Sequence, residues 1–140
     1  MCIRDSCKPI AIDARTTSTG KKLSVPSADC HRVVSTKVAK DAQKAAHEGI
    51  VYGTAGGDQT PDGYFEFSKT GTTDSAVQTW MIGSTHKVTT GVWVGNVSGY
   101  ANLRQRSATF CPLKGSSQAA IERHCIWKAI QTKANGIYGG

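Results

Sequence analysis

The chain has 140 residues, with 17 basic against 10 acidic side chains and a net charge of +7 at pH 7. Hydrophobic residues make up 39% and aromatic residues 7%, enough for one modest core and too little for two domains. Charged residues are only 19% and form no long single-sign block, and no run of 18 apolar residues occurs, which excludes wholesale disorder and a membrane-spanning helix within the sequence.

Met1-Cys2-Ile3-Arg4-Asp5-Ser6 resembles the translation of a sequencing-adapter end. Residues 1–6 are therefore excluded from the expected fold, which starts at residue 7 and continues an unseen upstream part. Residues 9–25 predict a β-hairpin: Ile10 and Ile12 on one arm, a loop over Thr16–Lys22, and Leu23 and Val25 on the other. Cys7 and Cys30 flank it and are placed either to form a disulfide or to remain two free thiols. Ser35 is the expected N-cap of a helix over 36–51, with Val38, Ala42, Ala45, Ala46 and Ile50 at helical spacing. Gly53 stops it, and the Gly- and Pro-rich stretch 53–63 is a loop. Three strand-like runs follow at 64–72, 77–84 and 88–95, expected as an antiparallel meander. Residues 96–116 read as irregular. A last helix is expected within 117–134, with Ile126, Ala129, Ile130 and Ala134 on one face and Gly136 beyond its end.

The chemistry concentrates in Lys69-Thr70-Gly71-Thr72-Thr73, at the end of the first strong strand. These five residues in sequence arise by chance only about 10⁻⁴ times in a chain of this composition. Side chains alternate along a strand, so Lys69 shares a face with Gly71, and Thr70 with Thr72. An ammonium and two hydroxyls suit a carboxylate. Gly71 admits close approach of a ligand backbone, and an edge strand can pair with an extended peptide.

Together with Gln78-Thr79-Trp80-Met81-Ile82-Gly83 and Gly91-Val92-Trp93-Val94-Gly95-Asn96, this motif resembles the transpeptidase domain of bifunctional (class A) penicillin-binding proteins. The flanks Cys7-Lys8-Pro9-Ile10-Ala11-Ile12, Pro26-Ser27-Ala28-Asp29-Cys30, Ile126-Trp127-Lys128 and Tyr138-Gly139-Gly140 are most similar to the actinobacterial branch. The resemblance covers most of the chain after Ser6; residues 101–120 match poorly. It implies an α/β fold, an antiparallel sheet flanked by helices as in penicillin-binding proteins and serine β-lactamases, with only the C-terminal part (7–140) present.

The activity implied is a serine D,D-transpeptidase, an acyltransferase of peptidoglycan biosynthesis in the bacterial envelope. It cross-links stem peptides through an acyl-enzyme, and β-lactams acylate the same serine. Of the family's three motifs, Ser-x-x-Lys, Ser-x-Asn and Lys-Thr-Gly, only the third carries over. Lys69, Thr70, Gly71, Thr72 and Thr73 are the implied substrate-binding residues, and the backbone N–H of Thr72 is the implied catalytic group, half of an oxyanion hole. No cofactor or metal is implied. The implied partners are stem peptides and β-lactams, not nucleic acid, and the implied location is extracytoplasmic, held by a membrane anchor upstream of this chain. The family commonly has Gly before the motif lysine, where this chain has Ser68.

The nucleophile is expected outside the chain. Ser18-Thr19-Gly20-Lys21 lies in a hairpin turn, and Ser84-Thr85-His86-Lys87 lies in a turn after Lys-Thr-Gly, the wrong order. Ser27-Ala28-Asp29 has the spacing but not the asparagine of Ser-x-Asn. The fragment alone is therefore expected to be inactive. Two alternatives carry the same motif: a serine β-lactamase-like hydrolase, and a non-catalytic cell-wall-binding domain. Cys30-His31 and His124-Cys125 lack zinc-ligand spacing. Gly53–Gly57 lacks the Lys-Ser or Lys-Thr of a phosphate loop. Cys111 and Cys125 suit a second disulfide or two thiols. Trp80 and Trp93 are expected in the core rather than lining a cleft. The basic residues are dispersed, so no nucleic-acid patch forms. The resemblance implies that the motif strand lies at one sheet edge and that an early strand, absent here, lies beside the last of the three. The strand at 88–95 is therefore expected to expose an unpaired edge, and the isolated piece to self-associate.

Overall fold

Alternation of inward and outward residues from Phe67 onward builds the central sheet. A computed structural model describes residues 5–110 and 118–140. Its elements are β1 (Asp5–Cys7), β2 (Arg15–Thr16), β3 (Lys22–Leu23), β4 (Cys30–Arg32), α1 (Thr36–Val51), β5 (Phe67–Thr72), β6 (Gln78–Ser84), β7 (Thr89–Gly95) and α2 (Glu122–Tyr138). The architecture is mixed α/β with small antiparallel sheets and two helices. The chain divides into two compact units, with the sequence boundary inside α1 between Asp41 and Ala42. Composition alone suggests one domain; the earlier unit separates because none of residues 5–34 is buried.

In that earlier unit β1 pairs with β4, and β2 with β3. Asp5 and Ser6, excluded by the adapter resemblance, occupy two of the three positions of β1. Cys7 and Cys30 are directly opposed and disulfide-bonded. The hairpin forms but is far shorter than expected, with two residues per arm. Ile10 and Ile12 are outside it and exposed. Gly20 takes φ +81° in its turn, where Gly20 N donates to Thr17 O.

Helix α1 keeps its expected bounds. Ser35 Oγ accepts from Val38 N at 3.3 Å, capping the first turn. At the other end Tyr52 N and Gly53 N both donate to Glu48 O.

The later unit holds the sheet, in order β5-β6-β7, wholly antiparallel as expected. Thr79 and Met81 of β6 and Val92 of β7 point to one face. There Ile50, Ala55, Met81, Val92 and Trp127 form the core, with Val51, Val94 and Ile126 packed against it. A smaller cluster joins Leu103, Ala119 and Ala120.

Trp80 and Trp93 are not in this core. They are cross-strand partners on the opposite face, 43% and 40% exposed. The strand period forces this: with Thr79, Met81 and Gly83 inward, Trp80 must point outward. Trp127 of α2 fills the core instead.

Helix α2 outruns its expected end. It continues through Gly136 to Tyr138 and stops at Gly139, whose φ of 71° lets its N–H donate back to Asn135 O at 2.8 Å. Its buried side carries His124, Trp127, Gln131 and Asn135. Of the expected apolar face only Ile126 packs against the core, while Ala129 and Ile130 are exposed. The indole of Trp127 and a set of buried amides decide the helix's rotation, not its aliphatic count. The expected Cys111–Cys125 pair includes a residue outside those described.

Candidate functional site

Strand β5 carries the five-residue motif and is an edge strand: among the described residues it pairs only with β6. The register runs from Phe67↔Ser84 to Thr72↔Thr79. Just past it, Thr73 N donates to Gln78 O at 3.0 Å. Antiparallel ladders alternate hydrogen-bonded and non-bonded pairs, so Gly71 and Lys69 exchange main-chain bonds with β6. The N–H and C=O groups of Thr70 and Thr72 therefore point to the other, open edge.

Lys69 is exposed, and its Nζ donates to Thr70 O at 2.8 Å, capping one of these outward carbonyls. Among the described residues its ammonium has no carboxylate partner; the ion pairs there are Lys8–Asp29, Lys37–Asp41 and Asp58–His124. Lys69 and Gly71 share the outer face with Ile82 and Trp80. Thr70 and Thr72 lie on the other face, opposite Met81 and Thr79. The Thr70 and Thr54 hydroxyls are 2.6 Å apart, which ties the strand to the loop after α1. Thr72 is exposed.

Thr73 is engaged differently. Its Oγ1 accepts from Gln78 N at 3.1 Å, closing the connection in which Ser75 and Ala76 take φ of 57° and 50°. The structure thus brings Lys69, Thr70, Gly71 and Thr72 to one open edge and puts the Thr73 hydroxyl into the turn beside it.

Ser68 is 5% exposed and lies opposite Gly83. It also lines a cavity of about 180 Å³ beside Lys69, with Ala46, Phe67, Ile82 and Ser84. Neither Ser-x-x-Lys string starts a helix. Ser18 lies in the β2–β3 turn, and Ser84 ends β6 with its Oγ paired to Thr89 Oγ1.

A buried polar network behind β5 joins residues outside the five-residue motif. Glu66, fully buried and next to Phe67, accepts from Thr60 N at 2.9 Å and from Thr60 Oγ1 at 2.5 Å. Asn135 Nδ2 of α2 donates to Asp62 Oδ2 at 2.9 Å and approaches Glu66 Oε1 at 3.4 Å. Gln131 Nε2 donates to Asn135 Oδ1 at 2.8 Å, and Thr90 Oγ1 donates to Gln131 Oε1. This chain fixes the loop before β5 to α2 and β7. The one sequence signal for it is Gln131 and Asn135, four apart on the last helix.

Burial raises the Asp62 carboxyl, but hydrogen bonds from Thr60, Asn135 and the Tyr64 backbone outweigh it and hold the pKa below the ordinary value. Nearby, His124 Nδ1 pairs with Asp58 Oδ2, both buried, joining the same loop to the start of α2. Arg123 is also buried; burial and Arg104 lower its pKa, opposed by Asp58. His124 is thus engaged with Asp58, and Cys30 with Cys7.

No model of a known protein family matches the chain, and no curated protein matches it. Among the described residues no helix is long and apolar enough to cross a membrane. The arrangement at β5 offers a cation, a hydroxyl and outward N–H groups along one strand edge. Chemically, it can bind a peptide carboxylate and polarise a carbonyl.

Proposed function

We propose that this chain is the later part of a serine D,D-transpeptidase of the class A penicillin-binding type. In that role it cross-links peptidoglycan stems and is acylated by β-lactams. The observation that carries the reading is the open edge of β5, where an exposed, carboxylate-free Lys69 adjoins the outward main chain of Thr70 and Thr72. Lys69 supplies positive potential for the terminal carboxylate of the donor stem. Thr70 and Thr72 hydroxyls donate to that carboxylate, and Gly71 lets the peptide lie close to the strand. The N–H of Thr72 stabilises the oxyanion of the tetrahedral intermediate. The serine nucleophile, its lysine and the membrane anchor belong to an upstream part, and the protein works outside the cytoplasmic membrane. The exposed Cys7–Cys30 disulfide supports such an oxidising location.

Fluorescent penicillin tests this. The product of the complete reading frame is expected to take up the label covalently on a serine upstream of residue 7. The 140-residue chain alone is expected to take up none. Thr72→Pro removes the outward N–H without breaking the ladder to β6, and should slow acylation of the complete protein by about 10²–10³-fold. Covalent labelling of the 140-residue chain, or acylation of the complete protein that is indifferent to Thr72→Pro and Lys69→Ala, overturns the proposal. Rapid hydrolytic turnover in place of a stable adduct would make it a β-lactamase instead.

A further inference from the structure

Cys7 and Cys30 close the β1–β4 ladder as directly opposed residues, joined by a disulfide that spans 23 positions. Both are exposed. Within the loop they enclose, strand pairing is limited to Arg15↔Leu23 and Thr16↔Lys22. Beside the cross-link, Lys8 N donates to Asp29 O at 3.2 Å and Lys8 Nζ pairs with Asp29 at 3.1 Å, with both side chains mostly in water. Surface pairs of that kind contribute little. None of residues 5–34 is buried, so no apolar burial offsets the entropy of ordering this backbone. What holds the loop closed is the covalent bond. The later unit does not depend on it, having its own core around Trp127.

We infer that Cys7–Cys30 is a thiol–disulfide exchange site at which a dithiol reductant switches residues 8–29 between a closed loop and an unfolded one. A thiolate of the dithiol attacks one of the two exposed sulfurs. The protein's S–S bond breaks, and the other cysteine leaves as a thiolate and takes up a proton. The dithiol's second thiol, losing its proton, attacks the mixed disulfide and releases the remaining cysteine thiolate. The protein disulfide is reduced by two electrons, and the dithiol is oxidised to its own disulfide. Exposure of both sulfurs gives the reductant access to either one.

The test treats the whole chain with dithiothreitol under native conditions, followed by iodoacetamide. Mass spectrometry of the peptides reads alkylation, and limited trypsin digestion reads order at Arg15, Lys21 and Lys22, all inside the loop. Cys7 and Cys30 are expected to be alkylated without denaturant. Cleavage at the three basic sites should then accelerate about tenfold or more, because proteolysis follows the open population. The double variant Cys7→Ser with Cys30→Ser should show the same acceleration with no reductant, while Trp127 emission stays native. The variant also separates this bond from any other disulfide. Alkylation only after denaturation overturns the inference. So does a double variant cleaved no faster than the oxidised protein.

Discussion

Trp127 lies against Gly83: a Cβ built on that glycine would meet the indole at 2.7 Å from Cε2 and 3.0 Å from Nε1. Trp127 is fully buried and cannot swing away, so helix α2 approaches the sheet only because β6 has no side chain there. Gly83→Ala is therefore expected to destabilise the later unit by about 3 kcal/mol through overpacking. Gly91→Ala, whose new methyl would meet nothing nearer than Ile82 Cγ1 at 3.7 Å, should be almost neutral. Urea unfolding followed by tryptophan emission compares the two; equal midpoints would show that the indole has room to move.

The tryptophans divide by environment. Trp127 is fully buried, while Trp80 and Trp93 stand as a cross-strand pair on the outer face. Their pair belongs to the non-bonded kind, which brings side chains closest. Acrylamide is expected to quench two of the three tryptophans readily, and Trp127→Phe should remove the protected fraction. If quenching is uniform, the outer face of the sheet is covered.

Much of this was legible in the sequence. Ser35 and Gly53 mark the bounds of α1, because a hydroxyl cap and a glycine stop are local signals. Its buried face did not follow the expected spacing: Ile50 and Ala39 are buried while Val38, Ala42 and Ala45 are exposed. The three strands and their antiparallel order follow from alternation and from short connections. What was not legible depended on tertiary partners. Trp80 and Trp93 are large and apolar, yet the phase of β6 is set by Met81 and Thr79. Ile130 has the spacing of a core residue, yet α2 turns its Trp127–Gln131–Asn135 side inward to satisfy Glu66 and Thr90. At the site, the motif strand was legible, but the loop-to-helix network behind it pairs residues about 70 positions apart and has no local signature.

That network makes Asn135 a tie between α2 and the chain entering β5. Its amide donates toward Asp62 and Glu66 while its carbonyl accepts from Gln131. Truncation leaves a buried carboxylate short of a donor, at a cost of about 3 kcal/mol. Asn135→Ala should thus lower stability far more than Thr132→Ala, whose hydroxyl bonds only its own helix at Lys128 O. Denaturation midpoints decide, and a small loss at Asn135 would mean that water replaces its amide.

Asp62 gives the acid dependence its sign. Its folded-state pKa lies below the ordinary value, so between the two values the unfolded chain binds more protons. The contribution is complete above the unfolded carboxylate pKa and is lost as pH falls through the lowered folded one. Asp62→Asn should flatten that part of the stability profile and leave the neutral region with a constant offset. A wild-type curve equally steep in the variant would assign the acid loss to other carboxylates.

The far edge of the sheet makes the last prediction. Among the described residues β7 pairs only with β6. Asn96 N donates to Val77 O and Thr85 N to Val88 O, which puts Val92 and Val94 in bonded pairs and turns the main chain of Gly91 and Trp93 outward. Such an edge is a template for another strand. The chain is expected to associate through β7 as its concentration rises. Gly91→Pro removes one outward N–H while sparing the ladder, and should shift the association to higher concentration. Light scattering measures both; a monodisperse monomer at all concentrations would show that this edge does not recruit a second copy.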